Sequence, residues 1–153
     1  MKVWFSKNLF KLASRLPLKA NFVLGSLLGE LAWRLDAKSR HYALTNLELC
    51  FPDMPAESRL NVARESLRHM GISMFEAPRL WKMSTAELDD LVTNADWFAP
   101  VEAAYNEGNG VILAGPHLGS WEFMGVITGR HMKMTSLFRP PRMNDLAGMI
   151  HEG

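Results

Sequence analysis

Cysteine is nearly absent from this 153-residue chain. Cys50 stands alone, so no intrachain disulfide and no cysteine metal cluster can form, which fits a reducing compartment. In Leu-Glu-Leu-Cys-Phe-Pro a small buried side chain is the expected role for it. Long apolar runs are also missing. Residues 20–35 are mostly apolar, but Asn21 and Glu30 interrupt them and the stretch is shorter than the roughly 20 residues a spanning helix needs. It is expected to lie on a membrane as a monotopic helix or to serve as an uncleaved anchor. No small-residue cleavage site follows a clean apolar run, which argues against a secretory signal peptide. Internal repeats and low-complexity linkers are lacking as well. With a formal charge of +1, nothing points to nucleic acid as a partner.

The charge that is present is unevenly placed. Lys2, Lys7, Lys11, Arg15 and Lys19 all precede the first acidic residue, Glu30, whereas Glu87 to Glu107 holds six carboxylates and no Lys or Arg. A solvated helix start would carry the same cations. Val3, Trp4, Phe5, Leu9, Phe10 and Leu12 between them favour a segment resting on an anionic membrane surface, so residues 1–35 are expected to be a basic, apolar, membrane-associating helical segment.

Beyond it, Leu60, Ala63, Leu67, Met70, Met74 and Ala77 recur at steps of three and four and predict one core-facing helix face. Asp53-Met54-Pro55 opens that helix and Pro78 should kink or end it. Ser84-Thr85-Ala86-Glu87 has capping-box spacing before Leu88 and Leu91. A further helix starts at Pro100 and is closed by Gly108 in a left-handed conformation. The pattern then changes. Asn109-Gly110 is a turn signal, the uninterrupted apolar run at residues 111–114 predicts a buried strand, and Gly115-Pro116 ends it. Residues 121–128 read as helix stopped by Gly129, and residues 132–138 as a second strand. The order argues for a βαβ unit and an α/β fold.

The chemistry-bearing residues lie at the predicted strand-to-helix junction, where open α/β sheets bind ligands. His117 can take and return a proton near neutral pH, and Glu122 can orient it by accepting the other imidazole N–H. Five residues apart on one regular helix, the two would diverge by about 140°. They meet only if His117 is on the loop, Glu122 is in the first helical turn and Gly119 permits the bend. Ser120 is then the N-cap, and the exposed N–H groups beside Gly119 and Ser120 are candidate donors to a substrate oxyanion. On spacing alone His-x-x-x-x-Glu is unspecific, and a lone histidine after a strand is often structural.

Three blocks together resemble the lipid A biosynthesis acyltransferases, the lauroyl and myristoyl transferases of Gram-negative bacteria. They are Arg-His-Tyr-Ala-Leu-Thr-Asn-Leu-Glu-Leu-Cys-Phe-Pro at residues 40–52, with the helix of residues 63–76 after it, Gly-Val-Ile-Leu-Ala-Gly-Pro-His-Leu-Gly-Ser-Trp-Glu at residues 110–122, and Leu-Phe-Arg-Pro-Pro at residues 137–141. The resemblance implies an acyltransferase sheet preceded by helices. It implies transfer of a fatty acyl group from an acyl carrier protein thioester to a hydroxyl of a lipid A precursor. His117 matches the general base, Glu122 its orienting carboxylate and Arg139 a positive position in the substrate block, where a guanidinium can hold a phosphate or carboxylate bidentately or form a surface ion pair. No metal, cofactor or covalent intermediate is implied, so Ser120 is a cap or a contact rather than a nucleophile, and Gly119, Ser120 and Arg139 make up the implied substrate-binding set. The implied location is the cytoplasmic face of the inner membrane, with acyl carrier protein, lipid A precursor and the lipid surface as partners. Family members run to roughly twice this length, so residues 36–153 are expected to be the N-terminal part of a truncated domain. The alternatives are a catalytically inactive remnant, a membrane-associated binding module, or a transferase of the same family acting on another glycolipid.

Overall fold

A computed structural model describes residues 2–94, 96–116 and 118–137. Among them are seven helices and no strand: α1 (Lys2–Ala13), α2 (Leu18–Leu35), α3 (Ala37–Cys50), α4 (Ala56–Leu80), α5 (Thr85–Asp89), α6 (Ala99–Asn106) and α7 (Trp121–His131). The chain divides into two compact units, one within Met1–Trp81 and one within Lys82–Pro140.

Local chemistry sets the helix ends of the first unit. Pro17, with φ −64°, precedes α2. Asp36 ends α2 and caps α3, its carboxylate accepting from the backbone N–H groups of Lys38 (3.1 Å) and Ser39 (3.2 Å). Hydrogen bonds from Ser39, its hydroxyl first, hold the Asp36 carboxyl below the usual carboxylate range. Between α3 and α4, Arg59 donates to the Met54 carbonyl at 2.8 Å.

The centre of this unit is the crossing of α2 and α4, and it is built from small residues. A Cβ on Gly25 would lie 2.5 Å from the Ile72 Cα, and one on Gly29 would lie 2.3 Å from the Leu67 carbonyl oxygen. The two backbones therefore touch, which only glycine permits. Asn21, Gly25, Ser26 and Gly29 of α2 are buried, as are Ala63, Leu67, Gly71 and Ile72 of α4. Buried Asn21 donates through Nδ2 to the Ala13 carbonyl (2.9 Å), capping the C-terminus of α1.

One flank of the crossing is a polar ladder. Arg64 makes two hydrogen bonds to Glu30 (2.8 and 2.7 Å), Arg34 adds a third (3.0 Å), and Arg68 reaches Ser26 Oγ through Nε (3.0 Å) and Nη2 (2.8 Å). The Arg64 guanidinium, by hydrogen bond and then by charge, with Arg34 assisting, holds the Glu30 carboxyl below its usual range. The outward face of α2 is the reverse of an ordinary amphipathic helix. Val23, Leu24, Leu27, Leu28, Leu31 and Leu35 are all exposed, from 37% at Leu28 to 75% at Leu35. No helix among the described residues is long and apolar enough to cross a membrane.

In the second unit Ser84 and Glu87 close the expected capping box at α5, whose Leu88 is fully buried. Proline lies in the first turn of α6, and Gly108 follows that helix at φ 79°.

The expectation of an α/β fold, with the start of an acyltransferase sheet, is overturned: the described residues are helices and connecting segments only. Residues 111–114 and 133–137 adopt no strand, and Ile112 and Leu137 are 97% and 106% exposed. A strand exists only against a partner that completes its ladder, and no other strand is present among the described residues to do so. An uninterrupted apolar run reports a tendency to be buried, not the pairing itself. The rest of the second expected strand, Phe138, lies outside the described residues.

Smaller expectations also shift. The helix of α4 passes through Pro78 to Leu80, and α7 passes through Gly129 to His131. Cys50 is exposed rather than buried. Leu60, Met70 and Met74 are exposed too, because the glycine crossing moves the α4 contact line to Ala63, Leu67 and Gly71.

Candidate functional site

The site proposed from sequence spans residues 110–122 with Arg139. His117 and Arg139 lie outside the described residues, so the structure speaks to the remaining members. Glu122 is half-buried in the first turn of α7. Gly119 has φ 65°, the left-handed conformation that the bend before the helix requires and that a side chain resists. Ser120 occupies the N-cap position, yet its side chain caps no backbone N–H; its hydroxyl oxygen is buried with no hydrogen-bond partner among the described residues. The Trp121 N–H donates to the Gly119 carbonyl (3.2 Å) and the Met124 N–H to the Ser120 carbonyl (3.4 Å). The opening of α7 is thus a tight turn whose hydroxyl is not consumed by capping.

Gly115 ties the segment before the bend to α7. A Cβ there would meet Met124 Cε at 2.0 Å and Sδ at 2.8 Å, so the methionine lies across the bare backbone. At its far end α7 is held by a residue sequence reading did not single out. His131 Nε2 is 2.8 Å from Asp89 Oδ1 at the end of α5, and its ring packs on Trp97 (centroids 5.6 Å) and Phe98 (5.1 Å). Asp89 and His131 are 42 positions apart, so nothing local in the sequence signals the pair. Among the described residues no group of three His, Cys, Asp or Glu side chains could hold a metal ion.

Comparison with known proteins agrees with the motif blocks. The chain is 27% identical over 137 residues to the lipid A biosynthesis palmitoleoyltransferase of Escherichia coli K12, a match covering 90% of this chain and 44% of that protein. To the lipid A biosynthesis acyltransferase of Haemophilus influenzae it is 28% identical over 143 residues, again covering 90% and 44%. To the lipid A biosynthesis lauroyltransferase of E. coli K12 it is 30% identical over 78 residues, covering 51% of this chain and 26% of the relative. The chain therefore spans under half the length of the curated relatives it matches. No solved structure matches it significantly. The family profile of the bacterial lipid A biosynthesis acyltransferases matches residues 1–152, nearly the entire length, and the chain belongs to that family.

Proposed function

We propose that the chain carries the proton-transfer site of a lipid A acyltransferase, moving a fatty acyl group from an acyl carrier protein thioester to a hydroxyl of a lipid A precursor. In this reading His117 takes the acceptor hydroxyl proton as the oxygen attacks the thioester carbonyl carbon. The carbon–sulfur bond then breaks, and the imidazolium returns its proton to the departing thiolate. Glu122 accepts the other imidazole N–H and keeps the ring oriented. The Ser120 hydroxyl and the backbone at Gly119 contact substrate, and Arg139 pairs with a substrate phosphate or carboxylate. No metal or cofactor takes part.

The observation that carries the reading is the family match over residues 1–152, which includes the His-x-x-x-x-Glu sequence at residues 117–122. The test is acyl transfer from acyl carrier protein to a lipid A precursor, with products read by mass spectrometry. It is run on this chain and on a version extended to the relatives' length. His117→Ala should lower transfer at least about a hundredfold. Transfer that survives the substitution unchanged rejects the dyad, and a different acylated acceptor redirects the specificity.

The same reading assigns the chain to the lipid surface of the inner membrane, at its cytoplasmic face. Two features support a lipid contact. The leucine-rich outer face of α2 is uncovered, and exposed Lys11, Arg15 and Lys19 lie at its N-terminal end with no acidic residue before Glu30. Small residues inside and leucines outside is how helices pack when their surroundings are as apolar as their own side chains.

A further inference from the structure

α7 carries Glu122 in its first turn and His131 at its last position, nine residues later, so the two are about 13 Å apart along the axis. Between them Ile127 and Thr128 are buried. His131 follows these by four and three residues and shares their face. Glu122 precedes Ile127 by five and projects about 140° around the axis. One side of α7 is therefore its anchor and another carries the carboxylate.

Apolar contact alone leaves such a helix free to roll, because burial has no direction. A hydrogen bond does have direction. His131 supplies one to Asp89 at 2.8 Å, while its ring is held by Trp97 and Phe98 just ahead of α6. Asp89 is itself well fixed, for α5 is pinned by the Ser84–Glu87 capping box and the buried Leu88. An exposed pair of this kind adds little to stability; what it adds is register.

We propose that His131, gripped by Asp89 and the Trp97–Phe98 rings, is a positioning residue that sets the rotation of α7 and so aims Glu122. The inference rests on the functional reading above for its catalytic consequence. Displacing a group by about 1 Å from its working position can cost up to a hundredfold in rate.

The test compares His131→Ala, His131→Gln and Asp89→Ala with the unmodified chain. Its readouts are hydrogen exchange of the α7 amides, far-UV circular dichroism as a folding control, and kcat and KM for acyl transfer. His131→Ala and Asp89→Ala should raise α7 exchange roughly three- to tenfold and lower kcat about tenfold or more at constant donor KM. His131→Gln, whose amide can still donate to Asp89, should recover most of both. Unchanged exchange in His131→Ala overturns the inference whether or not transfer occurs. So does looser exchange with unaltered kcat, or a glutamine variant no better than alanine. If a version extended to the relatives' length and its Glu122→Ala variant transfer equally, or neither transfers, the functional reading fails and takes the aiming of Glu122 with it. The exchange data then still decide whether the pair holds the helix.

Discussion

Gly71 of α4 rests against Gly25 of α2 so closely that a Cβ on Gly71 would fall 2.2 Å from the Gly25 carbonyl oxygen and 2.9 Å from the Gly29 nitrogen. The atoms in the way are backbone and cannot swing aside. Gly71→Ala should therefore destabilise the first unit by about 1–3 kcal/mol or more, the range seen for overpacking. The sign is diagnostic, because alanine normally favours a helix interior over glycine by about 0.5–1 kcal/mol. Gly125→Ala in α7, where an added Cβ meets nothing within 4 Å, should be neutral or stabilising. Thermal melts of the two variants check both directions.

The Arg64–Glu30 bridge makes the first unit sensitive to acid. Because Glu30 titrates lower when folded, its contribution is complete above the unfolded value of about 4.3 and disappears as pH falls through the folded value. Melting temperatures of wild type and Glu30→Gln should differ at neutral pH and converge below that point. A constant difference down to strongly acidic pH would show that the bridge does not respond to proton uptake.

The leucine face of α2 separates stability from lipid binding. Leu27 and Leu31 are both more than half exposed, so Leu27→Asp and Leu31→Asp should each change the melt by less than about 0.5 kcal/mol. Their partition onto vesicles of phosphatidylethanolamine and phosphatidylglycerol should weaken at least about tenfold, given roughly 1.5–3 kcal/mol for burying a leucine. A large loss of stability with unaltered vesicle binding would mean that protein rather than lipid covers this face.

A fourth outcome concerns α5. Ser84 accepts from the Glu87 N–H at 3.3 Å while the Glu87 carboxylate accepts from the Ser84 N–H at 2.8 Å. Ser84→Ala should cost about 1 kcal/mol. Amide exchange at Glu87 and Leu88 would reveal it locally.

What could be read in the sequence was what short stretches decide for themselves. The Ser84–Glu87 capping box, the proline opening of α6, its Gly108 closure and the bend at Gly119 each depend on a few adjacent residues. Everything that needs a distant partner went unread. The apolar run at residues 111–114 has the composition of a strand but no ladder to join. Asn21 and Glu30 looked like interruptions of an apolar stretch. In the structure they serve the packed side of α2, one buried against the α1 terminus and the other bridged to Arg64, 34 residues away. The glycines of the crossing carry no hydrophobic signal, so apolar periodicity points instead to Leu60, Met70 and Met74, which are exposed. Of the candidate site, Gly119 and the placement of Glu122 in the first turn follow from local rules, whereas the His131–Asp89 grip does not.

For α2 the usual link between the size of a side chain and its importance runs backwards. The residues that will tolerate replacement by other apolar groups are its large leucines, while its smallest members, Gly25 and Gly29, have almost no permitted alternatives. Among related chains the helix should therefore drift freely in its bulky positions and hold its slender ones, so a hydropathy profile would rank these residues in nearly the opposite order to their structural cost.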